Sequence, residues 1–337
     1  MRLNGVCYDA GRVMLGQDWR PDFSPGLVRR ELEVIRDGLH ASAVRICGAS
    51  VERLEIAAAA ALELGLEVFL APELWDRSPA ETLAYIDEAA LLAERLRRGA
   101  SPRLTLSVGS ELTLFMQGIV PGGNVLERLA APEFWRRVQE GGHNAPLNAF
   151  LAEAAGRARR AFSGPLTYAA VPLETVDWRP FDVVSVDIYR DARVRPMFGD
   201  LLRRFAAEGP LYVTEFGCCT YRGAADAGGR GWEVVVPDGQ TLRLKPGLVR
   251  DEGEQAAELS DSLAELEASP ALGAFVMTFV SPTMPYSEDP ARDLDMASYS
   301  LVRSGPGAPS PRYPDMPWRP KEAFAAVARH YLEHPPA

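Results

Sequence analysis

The segment "FDVVSVDIYRDARVRPMFGDLLRRFAAEGPLYVTEFG", residues 181–217, contains the pattern from which the fold is predicted. Two apolar runs rich in β-branched residues, 181–189 and 210–216, predict buried strands. Between them, residues 196–207 place apolar side chains three and four positions apart, which is the spacing of one helix face. A strand, a helix and a second strand in this order predict a parallel β-α-β unit.

The rest of the chain repeats this alternation until eight strand candidates are present. The other six strands are predicted at 2–8, 41–47, 66–72, 103–109, 165–171 and 273–280. Further helices are predicted at 26–38, 51–64, 80–98, 147–162, 252–268 and 319–333, whereas the link between strands five and six is short enough for only a turn. Strands buried on both faces in this order predict an α/β fold, a single (β/α)8 TIM barrel domain spanning residues 1–337. No Gly-x-Gly-x-x-Gly follows the first strand, which argues against a dinucleotide-binding sheet.

Long loops are predicted after strands four, seven and eight. The loop after strand seven contains "WEVVVPDGQTLRLKP", residues 232–246, which reads as a β-hairpin turned at Asp238 and Gly239. These loops leave the carboxyl ends of strands, which is the face where barrel enzymes build their active sites.

Composition limits the class of partner. The 337 residues are 47% hydrophobic and 24% charged, which is enough apolar material for a sizeable core. The net charge of -10 argues against nucleic acid and anionic membranes as partners and favours a small, neutral or cationic molecule. No apolar run is long enough to span a bilayer, and no secretory segment is visible. Four cysteines without a metal or disulfide pattern favour a reducing cytoplasm, so Cys218 and Cys219 are interpreted as reduced wall residues, and no cofactor or metal is expected.

The predicted strand ends gather polar side chains on one rim of the barrel. They are Arg45 after strand two, Glu73 after strand three, Glu111 after strand four, Asp187 and Tyr189 after strand six, and Glu215 after strand seven. Strands four and seven lie roughly across the ring, so Glu111 and Glu215 are predicted to face a common cavity. A pair of carboxyl groups is what glycoside cleavage requires: one protonates the leaving oxygen, and the other attacks or stabilises the anomeric carbon.

At this point a resemblance becomes specific. The segments "LTLSVGSELTLF" (104–115) and "LYVTEFG" (211–217) resemble those of the large clan of retaining glycoside hydrolases built on (β/α)8 barrels. The resemblance implies that Glu111 is the acid/base and Glu215 the nucleophile. It also implies that Arg45, in "AVRI", supports the nucleophile, and that Tyr189, in "DIY" beside Asp187, donates a hydrogen bond to it.

Two positions depart from the pattern of that clan. Ser110 stands where an asparagine usually precedes the acid/base, and Phe279 stands where strand eight usually ends in tryptophan. These departures leave two alternatives open. The same barrel could serve as a lyase, cyclase or isomerase for a non-sugar metabolite, with one glutamate as general acid or base. It could also be a barrel that binds a ligand without catalysis.

The substrate-binding candidates are taken from the same rim and its loops. They are Tyr8, Glu73, Trp75, Ser110, Trp178, Trp232 and Phe279. Trp232, in the loop after strand seven, is a candidate stacking platform for a sugar ring. Glu174 and Asp177, after strand five, are interpreted as exposed loop residues.

Overall fold

Eight parallel strands close into a barrel in the computed structural model, which describes residues 1–100, 103–239, 241–305 and 310–336. They are β1 (Leu3–Asp9), β2 (Ala43–Gly48), β3 (Glu67–Pro72), β4 (Leu104–Ser110), β5 (Leu166–Ala170), β6 (Val184–Asp187), β7 (Leu211–Phe216) and β8 (Gly273–Val276). Each strand pairs with its neighbours in sequence, and β1 pairs with both β2 and β8, which closes the ring. The predicted (β/α)8 barrel is confirmed.

Helices surround the barrel and fill its loops. They are α1 (Pro25–Asp37), α2 (Val51–Glu63), α3 (Pro79–Ala100), α4 (Leu112–Phe115), α5 (Val125–Ala130), α6 (Pro132–Gln139), α7 (Asn144–Ala161), α8 (Phe198–Ala206), α9 (Ala224–Ala227), α10 (Glu252–Glu267) and α11 (Glu322–Glu333). Ser24, Ser50 and Asp251 cap α1, α2 and α10 by accepting a hydrogen bond from a backbone amide of the first turn. Across the part of the chain that the structure describes, no helix combines the length and the apolar character that crossing a membrane requires.

Alternation along the strands divides the barrel interior from the helix layer. Cys7, Phe69, Tyr212 and Phe275 pack together in one cluster inside the ring. Strand residues at the alternate positions, such as Tyr8 next to Cys7, belong to the larger core between the strands and the helices. Because successive residues of a strand point to opposite faces, a shift of one position decides whether a side chain reaches the barrel axis.

The loops match the predicted pattern, and they also contain additional structure. The loop after β4 holds α4, α5 and α6, and the link from β5 to β6 has no helix among its residues, all of which are described. In the loop after β7, Val235–Asp238 pairs with Thr241–Leu244, which confirms the hairpin. In the loop after β8, Val302–Ser304 pairs with Trp318–Pro320, and residues 306–309 of this predicted loop lie outside the described residues.

Strand eight is shorter than the predicted 273–280, because β8 ends at Val276. Beyond this point the chain keeps contact with β1 through a hydrogen bond of 2.9 Å from the Phe279 amide to the Cys7 carbonyl. The Phe279 ring is fully buried and packs against Trp318, with 5.3 Å between ring centroids. Burial of this ring in the helix layer therefore takes the chain out of the barrel wall.

Gly5 lies where the barrel interior is closely packed. A Cβ atom at this position would overlap the buried ring of Phe275 on the neighbouring strand. We expect Gly5→Ala to lower the free energy of unfolding by about 1–3 kcal/mol, because the interior has no room for the added methyl group. Urea unfolding followed by circular dichroism measures this change.

Gly156 is the matched control, because it lies on an exposed face of α7 and an added Cβ would meet no heavy atom within 4 Å. Gly156→Ala is expected to raise the free energy of unfolding by about 0.5–1 kcal/mol through helix propensity. Equal stability of the Gly5→Ala variant and the parent protein would contradict the packing described above.

Candidate active site

Irregularities in β4 and β7 aim the two glutamates at the barrel axis. Along β4, Ser107 to Ser110 spans three positions where the partner strand advances by two. Along β7, Val213 to Glu215 spans two positions where β6 advances by one. Bulges of this kind redirect side chains at barrel rims. Glu111 follows the first bulge with a left-handed backbone, φ 47° and ψ 41°, a conformation that a residue with a side chain adopts only when its surroundings enforce it.

Arg45 is the central cation of the site. Its guanidinium is buried inside the barrel, where Nη1 donates a 2.6 Å hydrogen bond to Oε1 of Glu215. Nη2 donates to Oε1 of Glu73 at 2.8 Å and to Oγ of Ser110 at 3.0 Å. A buried guanidinium is stable only when carboxylates surround it, so Arg45 binds together the ends of β2, β3, β4 and β7.

Both carboxylate oxygens of Glu215 accept hydrogen bonds. Arg45 donates to Oε1, and the Tyr189 hydroxyl donates to Oε2 at 3.0 Å. Donors on both oxygens fix the plane of the carboxylate. The structure therefore brings Arg45 and Tyr189 to Glu215 in the arrangement that the family resemblance implies.

Asp187 lies beside Glu215 and is braced by two hydroxyl groups. Thr214 Oγ1 donates to Oδ1 at 2.7 Å, and Ser110 Oγ donates to Oδ2 at 3.0 Å. Burial, followed by the charge of Glu215, raises the pKa of Asp187 to about 7. Ser110 accepts from Arg45 while it donates to Asp187, so its hydroxyl is committed to holding the site together.

Glu111 completes a group of three close carboxyl groups. One oxygen each of Glu111, Asp187 and Glu215 lies within 4.8 Å of the other two. Burial raises the pKa of Glu111 well above that of an ordinary glutamate, and the charges of Asp187 and Glu215 raise it further. The spacing would also suit a single metal ion, although Arg45 already supplies positive charge to Glu215.

Another buried carboxylate, Glu174, holds the backbone that follows Glu111. It accepts hydrogen bonds from the Tyr168 hydroxyl at 2.9 Å and from the Thr113 amide at 3.1 Å. The Tyr168 oxygen in turn accepts from the Leu112 amide at 2.8 Å. These contacts satisfy the first amides of α4, which have no partners within the helix. The interpretation of Glu174 as an exposed loop residue is wrong, since it is only 5% exposed.

Trp75 forms part of an aromatic wall near the same rim. Its ring stacks on Phe115 with centroids 4.3 Å apart, and Trp19 meets it edge-on at 5.0 Å. The Arg12 guanidinium lies over both indoles, at 5.1 Å from the Trp19 ring and 5.2 Å from the Trp75 ring. Trp19 and Arg12 were not among the sequence candidates, because the first loop carries no motif that singles them out.

Tyr8 and Phe279 pack away from the carboxyl groups of Glu111, Asp187 and Glu215. The Tyr8 hydroxyl donates at 2.5 Å to Glu31, a fully buried residue of α1. The Trp318 indole donates to the same carboxylate at 2.9 Å, and the Phe279 ring packs on that indole. Tyr8 and Phe279 therefore face the helix layer, where they pack the core rather than line the rim cavity.

The other two tryptophan candidates, Trp178 and Trp232, lie in different segments of the chain. Trp178 is 8% exposed and packs edge-on against Phe181 in the main core. Trp232 lies half-buried in the short helical segment Gly228–Val234. Within that segment, Gly229 approaches the Tyr189 ring so closely that an added Cβ would lie 3.0 Å from it. The loop after β7 thus packs against the Tyr189 ring through Gly229.

Comparisons with known proteins identify the fold. No family model and no curated protein matches the sequence. A GH113 β-1,4-mannanase aligns over 99% of this chain and 99% of its own, with a TM-score of 0.64 and 14% identity. The GH113 β-mannanase of Alicyclobacillus acidocaldarius covers 98% of this chain and 97% of its own, with a TM-score of 0.61 and 17% identity. A β-glucuronidase from Ruminococcus gnavus covers 98% of this chain and 49% of its own, with a TM-score of 0.54 and 16% identity. The chain shares the barrel fold of these glycoside hydrolases.

The raised pKa of Asp187 predicts a pH-dependent stability. The native state binds this proton more tightly than the unfolded chain, whose Asp pKa is near 3.8. The resulting stabilisation is complete below that value and is lost as the pH rises through about 7. We expect the free energy of unfolding to fall between about pH 4 and about pH 7, and Asp187→Asn to make that fall smaller. Urea unfolding across this pH range measures both curves.

Asp261→Asn, an exposed substitution on α10, is the control and should reproduce the curve of the parent protein. If the Asp187→Asn curve had the same slope as the parent curve, Asp187 would not titrate in this range.

Proposed function

We propose that this protein is a retaining glycoside hydrolase that cleaves a small soluble glycoside by double displacement. The observation that carries the proposal is the pairing of Glu215, whose two oxygens accept hydrogen bonds from Arg45 and Tyr189, with Glu111, whose pKa is raised and whose oxygen lies within 4.8 Å. Two carboxyl groups that differ in protonation at one pH are the requirement for this chemistry. The shared barrel fold adds to the proposal without deciding it.

In the first step, a carboxylate oxygen of Glu215 attacks the anomeric carbon. The new carbon–oxygen bond forms as the glycosidic bond breaks, and Glu111 transfers its proton to the departing oxygen. Arg45 and Tyr189, which hold the two oxygens of Glu215, fix the direction of attack. The aglycone leaves as an alcohol, and the sugar stays esterified to Glu215.

In the second step, Glu111 acts as a base. Esterification removes the charge of Glu215, which is one of the charges that raise the pKa of Glu111. The pKa of Glu111 therefore falls at the stage when it must accept a proton from water. The water oxygen attacks the anomeric carbon, the ester bond to Glu215 breaks, and the proton is then available for the next turnover.

The carboxyl separation favours retention over inversion. Retaining enzymes place their carboxyl groups about 5–5.5 Å apart, whereas inverting enzymes need about 6.5–9.5 Å to admit a water molecule between carboxylate and sugar. One oxygen of Glu111 lies within 4.8 Å of one oxygen of Glu215, which is nearer to the retaining spacing than to the inverting one.

A second candidate, a lyase, cyclase or isomerase acting on a non-sugar metabolite, is favoured by Phe279 alone, since its ring does not form a floor for a sugar. The charged, hydroxyl-braced site counts against it, because an apolar metabolite would leave these polar groups without partners. Release of an aryl group from any simple aryl glycoside separates the two candidates in favour of the hydrolase.

The proposed setting is a reducing compartment such as the cytoplasm. All four cysteines are buried free thiols, so none of them stabilises the fold as a disulfide. A formal charge of -10 makes a small uncharged substrate a better partner than nucleic acid or an anionic membrane.

Substitution of each glutamate tests the assigned roles. Glu215→Gln is expected to abolish turnover of every glycoside, because the nucleophile is lost. Glu111→Gln is expected to lower kcat/KM by about a hundredfold to ten-thousandfold for alkyl glycosides, and by less for aryl glycosides whose leaving groups need no proton. Steady-state kinetics over a series of leaving groups measures both effects.

Glu208→Gln, an exposed position in the turn before β7, is the matched control and should keep parental kinetics. If Glu111→Gln slowed alkyl and aryl glycosides equally, Glu111 would not be the general acid, and full activity of Glu215→Gln would refute the nucleophile assignment.

A further inference from the structure

The candidate site holds more carboxyl groups than cations. The acids joined by contact around it are Asp9, Glu73, Glu111, Asp187 and Glu215, and the cations bonded to them are Arg12 and Arg45. With every group ionised, five negative and two positive charges leave a net charge of -3. With Glu111 and Asp187 protonated, the net charge is still -1. The field at the site is therefore negative in either protonation state.

Arg12 is bonded to two of these acids. Its Nε donates to Oδ2 of Asp9 at 2.7 Å, and its Nη1 donates to Oε2 of Glu73 at 3.3 Å. Asp9 also accepts the amide of Arg12 at 2.9 Å, so the carboxylate and the arginine backbone are locked together. Arg12 is 4% exposed, and Trp19 and Trp75 lie against its guanidinium.

Arg45 is engaged in the same way. One guanidinium nitrogen is bonded to Glu215 and the other to Glu73 and Ser110. Glu73 thus bridges the two arginines, with one oxygen on each. Recognition of a sugar carboxylate by arginine uses two parallel N–H groups of one guanidinium. Among the described residues bonded to this carboxyl group cluster, each guanidinium already bonds two carboxylates, Arg12 through Nε and Nη1 and Arg45 through both terminal nitrogens.

We propose that this site selects uncharged glycosides and rejects uronides, which carry a carboxylate on the sugar. The inference rests on the proposed function and adds the substrate class. An anionic sugar would bring a further negative charge into a site where acids already outnumber cations and where both guanidinium groups already bond two carboxylates each. The fold cannot make this distinction, because both mannanases and a β-glucuronidase share it.

The same acids suit an uncharged sugar. An ionised carboxylate accepts hydrogen bonds and donates none, and sugar hydroxyls can donate to it. A hydroxyl that donates to Glu215, whose side chain is more exposed than those of Glu73 and Asp187, would add a partner to an oxygen that already accepts a single side-chain bond. The carboxylates that repel a uronide are therefore the same groups that accept hydrogen bonds from an uncharged sugar.

The test compares aryl glycosides that differ only at carbon six of the sugar. The pairs are glucoside with glucuronide and galactoside with galacturonide, each as both anomers, with kcat/KM measured at constant pH and ionic strength. We expect at least one neutral member to be hydrolysed, with its uronide partner at least a hundredfold slower. A uronide that is hydrolysed as fast as its neutral partner, or faster, would overturn the inference and leave the proposed function standing.

Binding is measured in parallel by saturation-transfer NMR with the same pairs. If no glycoside is hydrolysed, the proposed function fails, and binding alone decides the substrate class. Binding of a neutral member without its uronide would then support the inference, and equal or preferential binding of the uronide, or no binding of either, would overturn it.

Glu73→Gln provides the specificity variant. It removes one negative charge and weakens the hold on one N–H group each of Arg12 and Arg45. We expect the ratio of uronide to neutral kcat/KM to rise at least tenfold. A purely structural defect would lower both members of a pair and leave their ratio unchanged.

Glu63→Gln is the matched control, since Glu63 is 64% exposed at the end of α2 and pairs with Arg29. Its ratio should equal that of the parent protein. An unchanged ratio in folded Glu73→Gln would show that the acids around Arg12 and Arg45 do not set the substrate class.

Discussion

The guanidinium of Arg45 inside the barrel is the charge around which this site is organised. A cation in that position is destabilising unless carboxylates reach it, and Glu73 and Glu215 reach it from two other strands. Those carboxylates in turn cannot be buried without the arginine. The result is a mutual requirement that fixes the ends of four strands. Burial raises the pKa of Asp187 and of Glu111, and the nearby negative charge of Glu215 raises both further.

The sequence was sufficient to predict the barrel and the main members of the site. Strand and helix spacing give the β/α alternation, and a polar residue at the end of a buried strand must face the open rim. Arg45, Glu111, Tyr189 and Glu215 follow from that rule together with short family motifs. The strand boundaries differ most where the chain leaves the barrel wall for a reason of tertiary packing, as at Phe279.

The remaining residues could not be predicted, because their roles depend on register and on partners distant in sequence. Tyr8 is one position from Cys7, and that single step turns its ring toward α1 and away from the axis. Glu174 reads as a loop acid until the backbone amides after Glu111 are placed beside it. Arg12 carries no motif, and its role appears only when Asp9, Glu73 and the two indoles surround it.

Retention of configuration is the central claim of the proposed mechanism, because one oxygen each of Glu111 and Glu215 lies within 4.8 Å, nearer to the spacing of retaining enzymes than to that of inverting ones. The most direct measurement is proton NMR of the first sugar released, recorded before mutarotation, from a glycoside of known anomeric configuration. The mechanism predicts that the initial product has the anomeric configuration of the substrate. An initial product of the opposite configuration would show that water attacks directly, and would contradict the role of Glu215 as the nucleophile.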